Sequence, residues 1–399
     1  MLALEEARER IFKLLPPSSA ESVPTSQAQG RFAATRVISP IDLPLFDNSA
    51  MDGYAVQSAE LVKASQEQPV SLQVIGEIPA GAVPGGEVSS GKAARVFTGS
   101  PLPEGADAVI MQEDTQAEGG QVFCFDRVRP WENIRVRGED IRKGTVVLKA
   151  GERISSAAVG LLRAVGLMEV EVSRQPRVAV IATGDELVEA GQPLTAGKIY
   201  ESNRALISSL LQGLVGAVRV FPIVRDSLEI TADTLRNAFE SSDIVISSGG
   251  VSVGEHDFVK EAFTKLGGSI DLWRVSIKPG KPFVCGQFGS KLLFGLPGNP
   301  VSTFVTFLLL VRPALLRWQG ATDWDLPRHP SMVEEALSNT GDRRHFMRVK
   351  VDANGGVRLA GTQASHVMSS LAGANGLVDV PPNSTLEKGR WVQVLRWEM

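Results

Sequence analysis

The stretch from Asp243 to Phe258, DIVISSGGVSVGEHDF, contains residue types that could bind an anion. Gly249 and Gly250 have no side chains, so a ligand can approach their backbone closely, and successive amides can cradle an anion. The stretch lacks the G-x-x-x-x-G-K-[ST] and G-x-G-x-x-G spacings of nucleotide-binding loops, and a plain glycine turn remains an alternative. The hydroxyl groups around the glycines belong to Ser247, Ser248 and Ser252.

Four acidic residues are predicted to lie at or just beyond the ends of strands. Carboxylates and water are ligands that suit Mg²⁺, which often bridges to substrate phosphates. Helix capping or solvated loop charge would explain any one of them, but four acids at one sheet edge favour a metal site. The four are Asp185, Glu186, Asp226 and Asp257.

Basic residues form a third candidate group. The stretch IKPGKPF places Lys278 and Lys281 on either side of a Pro-Gly turn. Solvated lysines are the alternative, but beside an anion loop and carboxylates they favour binding of phosphate or another oxyanion. The later stretches RRHFMRV and ASHVMSS are interpreted from sequence alone as surface segments, with Arg344, Arg348, Ser365, Ser369 and Ser370.

The elements that would position these residues are predicted by alternating strand and helix patterns from 177 to about 320. This order is typical of a doubly wound α/β domain, in which ligands bind beyond the carboxyl ends of the strands. Three polar motifs follow strands there: TGDEL (183–187), SSGGVSVG (247–254) and GLPGNP (295–300). In the last, Asn299 and Pro300 suit an N-cap and a first helical position.

The rest of the chain predicts a multidomain α/β plus all-β protein. Short β-rich pieces separated by Gly, Pro and Asn predict β modules on both sides of the α/β domain. Helices are predicted at 2–15, ended by two prolines, and at 154–166, where the second could pack beside the first. The predicted domains are a helical or linker domain of 1–30 and 141–176, a β module of 31–140, an α/β domain of 177–326 and a C-terminal β barrel of 327–399.

Composition narrows the class of protein. The 399 residues include 43% hydrophobic and 22% charged residues, which describes a globular protein, and the net charge of -4 argues against nucleic-acid binding. Neither a signal peptide nor an uninterrupted membrane helix is predicted, because Arg312 and Pro313 interrupt the longest apolar run. The two cysteines, Cys124 and Cys285, predict no disulfide framework or zinc site. A cytoplasmic location follows as an expectation.

Nine stretches in collinear order make the chain resemble the molybdopterin molybdenumtransferase family, which includes the E domain of gephyrin. They span residues 46 to 377, and the set is specific although no single stretch is decisive. The stretches are FDNSAMDGYA, RVFTGSPLPEGADAVI, RGEDI, ATGDEL, IYESNRALI, SSGGVSVGEHDF, IKPGKPF, GLPGNPVS and SHVMSSLAGANGL.

The resemblance implies a four-part elongated homodimer and a reaction of molybdenum cofactor biosynthesis. Adenylylated molybdopterin and molybdate would be the substrates. Cleavage of the phosphoanhydride, with Mg²⁺ as the metal, would release AMP and leave molybdenum on the dithiolene. The molybdopterin adenylyltransferase is a possible partner, whereas no nucleic acid or membrane is implied.

The resemblance also implies roles for residues in the α/β domain. Asp226 and Asp257, with Glu186, would hold the metal, and Asp185 would lie beside them. Molybdate would lie near Lys278, Lys281, Pro282, Arg344 and Ser365. The pterin phosphate would meet the glycine- and serine-rich loop and its surroundings, namely Asn203, Ser247, Ser248, Gly249, Gly250, Ser252, Gly254, Pro297, Asn299 and Pro300.

Three further residues match the family's site but lie in the early β module. They are Asp52, Thr98 and Asp140, and they are expected to reach the site from the partner subunit. The sequence departs from the family at Glu201, where the family commonly has Asp, and that acid's role is left open. His256 and His366 lie at variable positions and are given no role.

Two other functions are kept as alternatives. A non-catalytic molybdopterin-binding or scaffold protein would not need the carboxylate cluster. A molybdopterin adenylyltransferase would account only for 177–320 and leave both β modules unexplained. The preference for molybdate over tungstate and the identity of the molybdoenzymes served stay open.

Overall fold

The computed structural model describes residues 1–251 and 258–397. The first helix, α1 (Leu4–Leu14), buries Leu4, Ala7 and Ile11, which lie on one face at helical spacing. These side chains join the core of the α/β domain. The helix predicted at 154–166 is α2 (Ser156–Ala164), which packs in a different core. The expectation that the two helices pack together is therefore wrong.

Short strands dominate residues 20–173. A six-stranded sheet with the order β7-β4-β6-β5-β9-β8 forms the early β module, while β1 pairs with β12, β2 with β11 and β3 with β10. These strands are β1 (Ala20–Pro24), β2 (Val37–Ile38), β3 (Asn48–Ser49), β4 (Gly53–Val56), β5 (Val70–Ile78), β6 (Lys92–Val96), β7 (Ala108–Met111), β8 (Thr115–Glu118), β9 (Gln121–Cys124), β10 (Ile134–Arg135), β11 (Val146–Leu148) and β12 (Glu169–Ser173).

Residues on either side of the β module fold together. The antiparallel pair β1–β12 joins Ala20 to Ser173 across the module, and a small core of Ala33, Leu148 and Leu162 lies beneath it. Ser155 caps α2, since its side chain accepts a hydrogen bond from the backbone N–H of Ala158. The β module is thus an insertion between two halves of one small unit.

The α/β domain follows, with a six-stranded sheet in the order β16-β13-β17-β21-β20-β18. Its elements are β13 (Arg177–Ala182), β14 (Leu187–Val188), β15 (Ile199–Tyr200), α3 (Asn203–Leu211), β16 (Ala217–Val220), α4 (Leu228–Ser241), β17 (Ile244–Ser248), α5 (Phe258–Lys265), β18 (Ser269–Trp273), β19 (Ile277–Lys278), β20 (Val284–Phe288), β21 (Lys291–Leu296), α6 (Pro300–Thr306) and α7 (Arg312–Trp318).

Three central strands of this sheet position the functional residues. Strands β13, β17 and β21 are parallel and in register, so Ala182, Ser248 and Leu296 end level with one another. Buried apolar residues fill both faces, as expected for parallel strands covered by helices. The doubly wound α/β prediction is confirmed, but the antiparallel strands β18 and β20 were not predicted.

One continuous helical stretch, Pro300–Trp318, contains α6, a π-helical turn (Phe307–Val311) and α7. Within the part of the chain that the structure describes, it is the one helix long and apolar enough to span a membrane. In its most apolar window 89% of the residues are buried inside the protein. It is therefore the central core helix, as the sequence predicted.

The C-terminal residues form a closed β barrel. Five strands make a ring in the order β24-β25-β22-β28-β26, closed by pairing of β26 with β24, and β19 of the α/β domain adds to β24. The elements are β22 (Arg328–Val333), β23 (Leu337–Asn339), β24 (Arg344–Val351), β25 (Gly356–Leu359), α8 (Met368–Ala372), β26 (Gly376–Val380), β27 (Ser384–Leu386) and β28 (Trp391–Leu395). The barrel therefore contacts the α/β domain at Ile277 and Lys278.

Candidate functional site

A cavity of about 1110 Å³ lies at the carboxyl ends of the parallel strands, where the α/β domain meets the barrel. Its walls come from the ends of β13, β17 and β21, from residues 199–203 and from the loops 278–282 and 363–366. Of the predicted site residues, it brings together Glu186, Asn203, Ser248, Gly249, Lys278, Lys281, Pro282, Pro297, Asn299, Pro300 and Ser365.

The two glycines after β17 are required by the local backbone. Gly249 and Gly250 have φ angles of +85° and +66°, a region that favours glycine. A Cβ on Gly249 would lie 2.7 Å from the carbonyl oxygen of Thr183, and one on Gly250 would lie 2.5 Å from Val259 Cγ2. The bare backbone at this strand end is therefore a consequence of packing as well as an open surface for a ligand.

Asn203 connects two of the loops that surround the cavity. Its Nδ2 donates to Ser248 Oγ and to the carbonyl oxygen of Gly298, each at 2.7 Å. Its Oδ1 is buried and has no hydrogen-bond partner among the described residues. A buried polar atom without a partner is costly unless a ligand or water satisfies it, so Asn203 is suited to contact a bound molecule.

Two of the predicted metal-binding carboxylates line a smaller adjoining cavity of about 240 Å³. Glu186 and Asp226 share it with Gly249 and Gly250. The Asp226 carboxylate is held in place because its Oδ2 accepts from the backbone N–H of Asp185 at 3.1 Å. Oxygen ligands beside backbone amides fit Mg²⁺, which commonly binds one or two carboxylates and a substrate phosphate.

The structure leaves part of the predicted anion loop untested. Ser252, Gly254 and Asp257, together with His256, lie outside the described residues. Within the described ranges, no three His, Cys, Asp or Glu side chains converge as a complete metal site. Asp185 is close to Asp226 but points its carboxylate toward Asp226 N and Arg225.

The basic side of the cavity is formed by Lys278, Lys281 and Arg343. Both lysines are exposed at the cavity wall. Arg343 is held by donation from its Nη1 to the carbonyl oxygen of Ile277 at 2.8 Å, and it was not predicted. This side of the cavity carries the positive charge that an oxyanion would require.

The barrel completes the wall through Ser365. Asn299 Nδ2 donates to Ser365 Oγ at 3.0 Å, and the backbone N–H of Val301 donates to the carbonyl oxygen of Ser365 at 3.2 Å. The Asn299 side chain therefore bridges two domains instead of capping the helix, although Asn299 holds the N-cap position as expected. His366, which was given no role, also lines the cavity.

Arg344 does not line this cavity, in contrast to its predicted place beside molybdate. Its guanidinium donates to Asp379 at 2.5–3.2 Å and to Glu5 at 2.6 Å, on the other side of the barrel strand. The hydrogen bond with Asp379 raises the pKa of Arg344 further above its usual value. Neighbouring residues of a strand point to opposite faces, so Arg343 takes the position expected for Arg344.

Ser247 lines neither of the two cavities, although a contact with the pterin phosphate is predicted for it. It lies within β17, is fully buried, and its hydroxyl has no hydrogen-bond partner among the described residues. Ser248, one residue later, is at the strand end and reaches the cavity. The alternation of side chains along a strand separates the two serines.

Arg348 was interpreted as a surface residue, but it is fully buried. Its Nη2 donates to the carbonyl oxygens of Thr362 at 2.7 Å and Ala364 at 3.2 Å, and its Nε donates to the buried Ser370 at 3.0 Å. Its Nη1 has no partner among the described residues, and burial lowers its pKa. Arg348 therefore supports the 363–366 loop from behind the cavity, and sequence alone gave no signal of it.

A buried histidine lies beside these cations. His345 is 3% exposed, and its Nε2 has no partner within the described chain. Burial, followed by Lys278, Arg348 and Arg343, lowers its pKa to about 4. His345 is therefore neutral near pH 7 and adds no charge to the basic side of the cavity.

Asp52, Thr98 and Asp140 line neither cavity of their own chain. Asp52 Oδ1 accepts from the backbone N–H of Thr98 at 2.8 Å and from its hydroxyl at 2.9 Å. These hydrogen bonds lower the pKa of Asp52. The backbone N–H of Asp140 donates to the carbonyl oxygen of Leu43 at 3.1 Å.

Three family models match successive parts of the chain. Residues 2–166 match "MoeA N-terminal region (domain I and II)", residues 179–317 match "Probable molybdopterin binding domain", and residues 333–397 match "MoeA C-terminal region (domain IV)". The cavity therefore lies between the regions matched by the second and third models.

Curated relatives and solved structures match almost the whole chain. A molybdopterin molybdenumtransferase of Haemophilus influenzae is 40% identical over 94% of this chain and 93% of its own, and one from Nostoc is 36% identical over 99% and 94%. A crystal structure of the molybdopterin biosynthesis MoeA protein from Pyrococcus horikoshii superposes with a TM-score of 0.87, at 32% identity, over 100% of both chains. The chain therefore belongs to the MoeA family of molybdopterin molybdenumtransferases.

Proposed function

We propose that the cavity binds adenylylated molybdopterin and molybdate, and that Mg²⁺-dependent cleavage of the phosphoanhydride releases AMP and leaves molybdenum on the dithiolene. One observation carries this proposal. The cavity combines a glycine-containing strand end, the unpaired Oδ1 of Asn203 and two exposed lysines, and Glu186 and Gly249 are shared with the smaller cavity that contains Asp226.

The pterin phosphate is assigned to the end of β17. There the bare backbone of Gly249 and Gly250 lines the cavities, with the Gly249 N–H donating to the carbonyl oxygen of Leu296 at 3.1 Å. Ser248 adds a hydroxyl group beside them, while the unpaired Asn203 Oδ1 is left to accept from a hydrogen-bond donor of the pterin. The helix that begins at Pro300 directs its positive end toward the same region. Backbone groups fixed by packing suit this role, since they need no reorganisation when the anion binds.

The metal is assigned to Glu186 and Asp226, with Asp257 as the third ligand that the family resemblance implies. Bound Mg²⁺ would neutralise negative charge on the anhydride. The backbone N–H of Asp185 orients the Asp226 carboxylate, and the Asp185 carboxylate in turn accepts from Asp226 N at 3.3 Å. This reciprocal pair keeps Asp226 directed into the small cavity.

Molybdate is assigned to the basic side of the larger cavity. A small dianion offers only oxygen atoms, so it requires several fixed donors and positive charge. Lys278, Lys281 and Ser365 supply them, with Pro282 in the wall. Arg343 replaces Arg344 in this assignment because Arg344 is engaged with Asp379 and Glu5.

The active site is proposed to be shared across a homodimer. The β module that carries Asp52, Thr98 and Asp140 also exposes Leu45 (52%) and Phe46 (45%) on its surface. Apolar side chains grouped around polar site residues are typical of an interface. A two-fold axis would place this face of one protomer against the cavity of its partner.

We propose that the chain has four domains, namely 1–30 with 141–176, 31–140, 177–326 and 327–399. Helix α1, although part of the first domain by sequence, packs in the core of the α/β domain. A cytoplasmic location is proposed, in agreement with the buried apolar helix. The adenylyltransferase that makes the substrate is the proposed protein partner.

Substitution of the cavity lysines tests the molybdate site. Lys278→Ala or Lys281→Ala should raise the molybdate concentration needed for half-maximal AMP release roughly ten- to a hundredfold, the effect of losing one charge-assisted partner. Affinity for molybdopterin should change little. Lys350→Ala, at an exposed position on β24, is the matched control. Equal weakening of both ligands, or no change in the molybdate requirement, would contradict two separate sites.

A further inference from the structure

The segment 185–202 forms one wall of the larger cavity. It contributes Glu186, Leu187, Ile199, Tyr200 and Ser202 to the lining. Within the segment, β14 and β15 pair in parallel, and the backbone N–H of Glu201 donates to the carbonyl oxygen of Val188 at 2.9 Å. Because it is braced internally, the segment should move as a unit, and its placement sets the width of the cavity.

The first end of this segment is held by the loop that contains Asp226. Gly184 N donates to the carbonyl oxygen of Val224 at 3.1 Å, and Asp185 N donates to Asp226. The distal part of the segment, near Glu189 and Glu201, needs a separate attachment. Arg204, in the first turn of α3, provides it.

Arg204 makes hydrogen bonds to three different parts of the domain. Its Nε donates to Glu201 at 2.9 Å, its Nη2 donates to both oxygens of Glu189 at 2.7 and 2.8 Å, and its Nη1 donates to the carbonyl oxygen of Phe221 at 2.6 Å. Phe221 begins the loop that leads to Asp226. A planar guanidinium can donate hydrogen bonds to all three parts at once, whereas a lysine ammonium cannot match this fork geometry.

Because Arg204 and Glu201 are both buried, their arrangement is sensitive to loss of either charge. The side chain of Arg204 is 8% exposed and that of Glu201 is 4% exposed, whereas that of Glu189 is 57% exposed. Burial tends to lower the pKa of Arg204, but the hydrogen bonds to Glu189 and Glu201 outweigh it and raise the pKa. Loss of the Arg204 charge would leave Glu201 as an uncompensated buried carboxylate, and loss of the Glu201 charge would leave Arg204 with only the exposed Glu189, so the segment should rearrange.

Glu201 lies in the cavity wall, yet it offers no free charge to a ligand. One carboxylate oxygen accepts from the backbone N–H of Arg204 at 2.8 Å and the other accepts from its Nε. The side chain thereby fixes both the end of the segment and the start of α3, where Asn203 points toward the cavity. The presence of Glu201, which is longer than the Asp that the family commonly has at this position, thus has a structural reason.

We propose that Arg204 and Glu201 are positioning residues that hold the 185–202 segment against the cavity and thereby set affinity for molybdopterin. Glu189 is the exposed second arm of this clamp, which is defined by Glu189, Glu201 and Arg204. The proposal rests on the assignment of the cavity to molybdopterin. The clamp acts on the distal part of the wall and on Asn203, whereas Asp226 is held at the first end of the segment by the backbone of Asp185, so binding should respond more than turnover.

The test compares Glu201→Gln and Arg204→Lys with the parent full-length protein. The dissociation constant for molybdopterin, measured by anaerobic ultrafiltration, and the KM for adenylylated molybdopterin should both rise roughly tenfold, as for loss of a charge-assisted bond. The kcat at saturating substrate should stay within about twofold, the pattern for lost uniform binding. Glu201→Asp should restore part of the affinity.

Two further variants serve as controls for the clamp substitutions. Asp233→Asn breaks the exposed pair with Arg236 on α4 and should leave KM and binding unchanged. Should the buried substitutions prevent folding, Glu189→Gln removes the exposed arm and should still raise the dissociation constant severalfold, which is a measurable part of the roughly tenfold effect. Unchanged affinity in the folded clamp variants, or a fall in kcat at constant KM, would overturn the proposal. Because binding is measured directly, a parent that binds molybdopterin without releasing AMP would contradict the proposed reaction alone.

Discussion

Replacing Asp226 by Asn should abolish AMP release while molybdopterin still binds. An amide is a poor substitute for a carboxylate on Mg²⁺, and Asp226 is directed into the small cavity by the backbone of Asp185. Loss of several kcal/mol of charge stabilisation corresponds to a rate decrease of roughly 10²- to 10³-fold. The Glu186→Gln and Asp257→Asn variants should behave similarly. AMP release by chromatography and molybdopterin retention by ultrafiltration measure the two effects.

A matched carboxylate-to-amide change separates this effect from a general change of charge. Asp233→Asn, on the exposed surface of α4, should release AMP at the parent rate. Higher Mg²⁺ concentrations should restore part of the Asp226→Asn activity, because a weakened site fills at higher metal concentration. Parent rates in Asp226→Asn and Glu186→Gln would show that these carboxylates do not hold the catalytic metal.

Mixing two inactive proteins should restore activity if the site is shared across a dimer. Asp52 lies in the β module and lines neither cavity of its own chain, whereas Asp226 lines the small cavity. In a mixed dimer of Asp52→Asn and Asp226→Asn, one site would carry both lesions and the other site neither. Random exchange gives about half mixed dimers with one intact site each, so roughly a quarter of the parent activity should return.

Subunit exchange must be confirmed independently, for example with two differently tagged proteins recovered together. A mixture of Asp52→Asn with Thr98→Ala is the control, since both lesions lie on the same face and leave no site intact. Confirmed exchange without recovered activity would mean that each site is built from one chain. Asp52 and Thr98 would then need a different function.

The sequence was sufficient to predict the central architecture. Strands β13, β17 and β21 read as apolar runs followed by polar motifs, because parallel strands are buried on both faces and ligands bind at their carboxyl ends. The strand-end motifs with Gly249, Gly250, Lys278 and Lys281, and the family resemblance with Asn203, predict one site, and these residues line the two adjoining cavities.

The errors have physical causes that lie outside local sequence patterns. Arg343 and Arg344 differ by one position, and only the register of β19 against β24 decides which one faces the cavity. Arg348 reads as a charged surface residue, but it is buried, and its Nη2 donates to the carbonyl oxygens of Thr362 and Ala364. Such contacts between distant segments cannot be inferred from composition or periodicity.

The contacts that hold the 185–202 segment could not be inferred from local sequence patterns either. The stretch from Asp185 to Ser202 contains two strands of only two residues each, so its pattern gave no element. The role of Glu201 stays open from sequence because the family commonly has Asp at this position. Its function as the buried partner of Arg204 emerges only when Glu189 and Phe221 are seen around the same guanidinium.

The most direct test of the proposed function is AMP release from adenylylated molybdopterin by the parent protein, measured with Mg²⁺ in the presence and absence of molybdate. The proposal predicts release of one AMP per substrate when both ions are present, with molybdenum recovered on the pterin by metal analysis. It also predicts that omitting Mg²⁺ prevents release. A protein that binds adenylylated molybdopterin tightly but releases no AMP under these conditions would contradict the proposed reaction and favour a non-catalytic binding role.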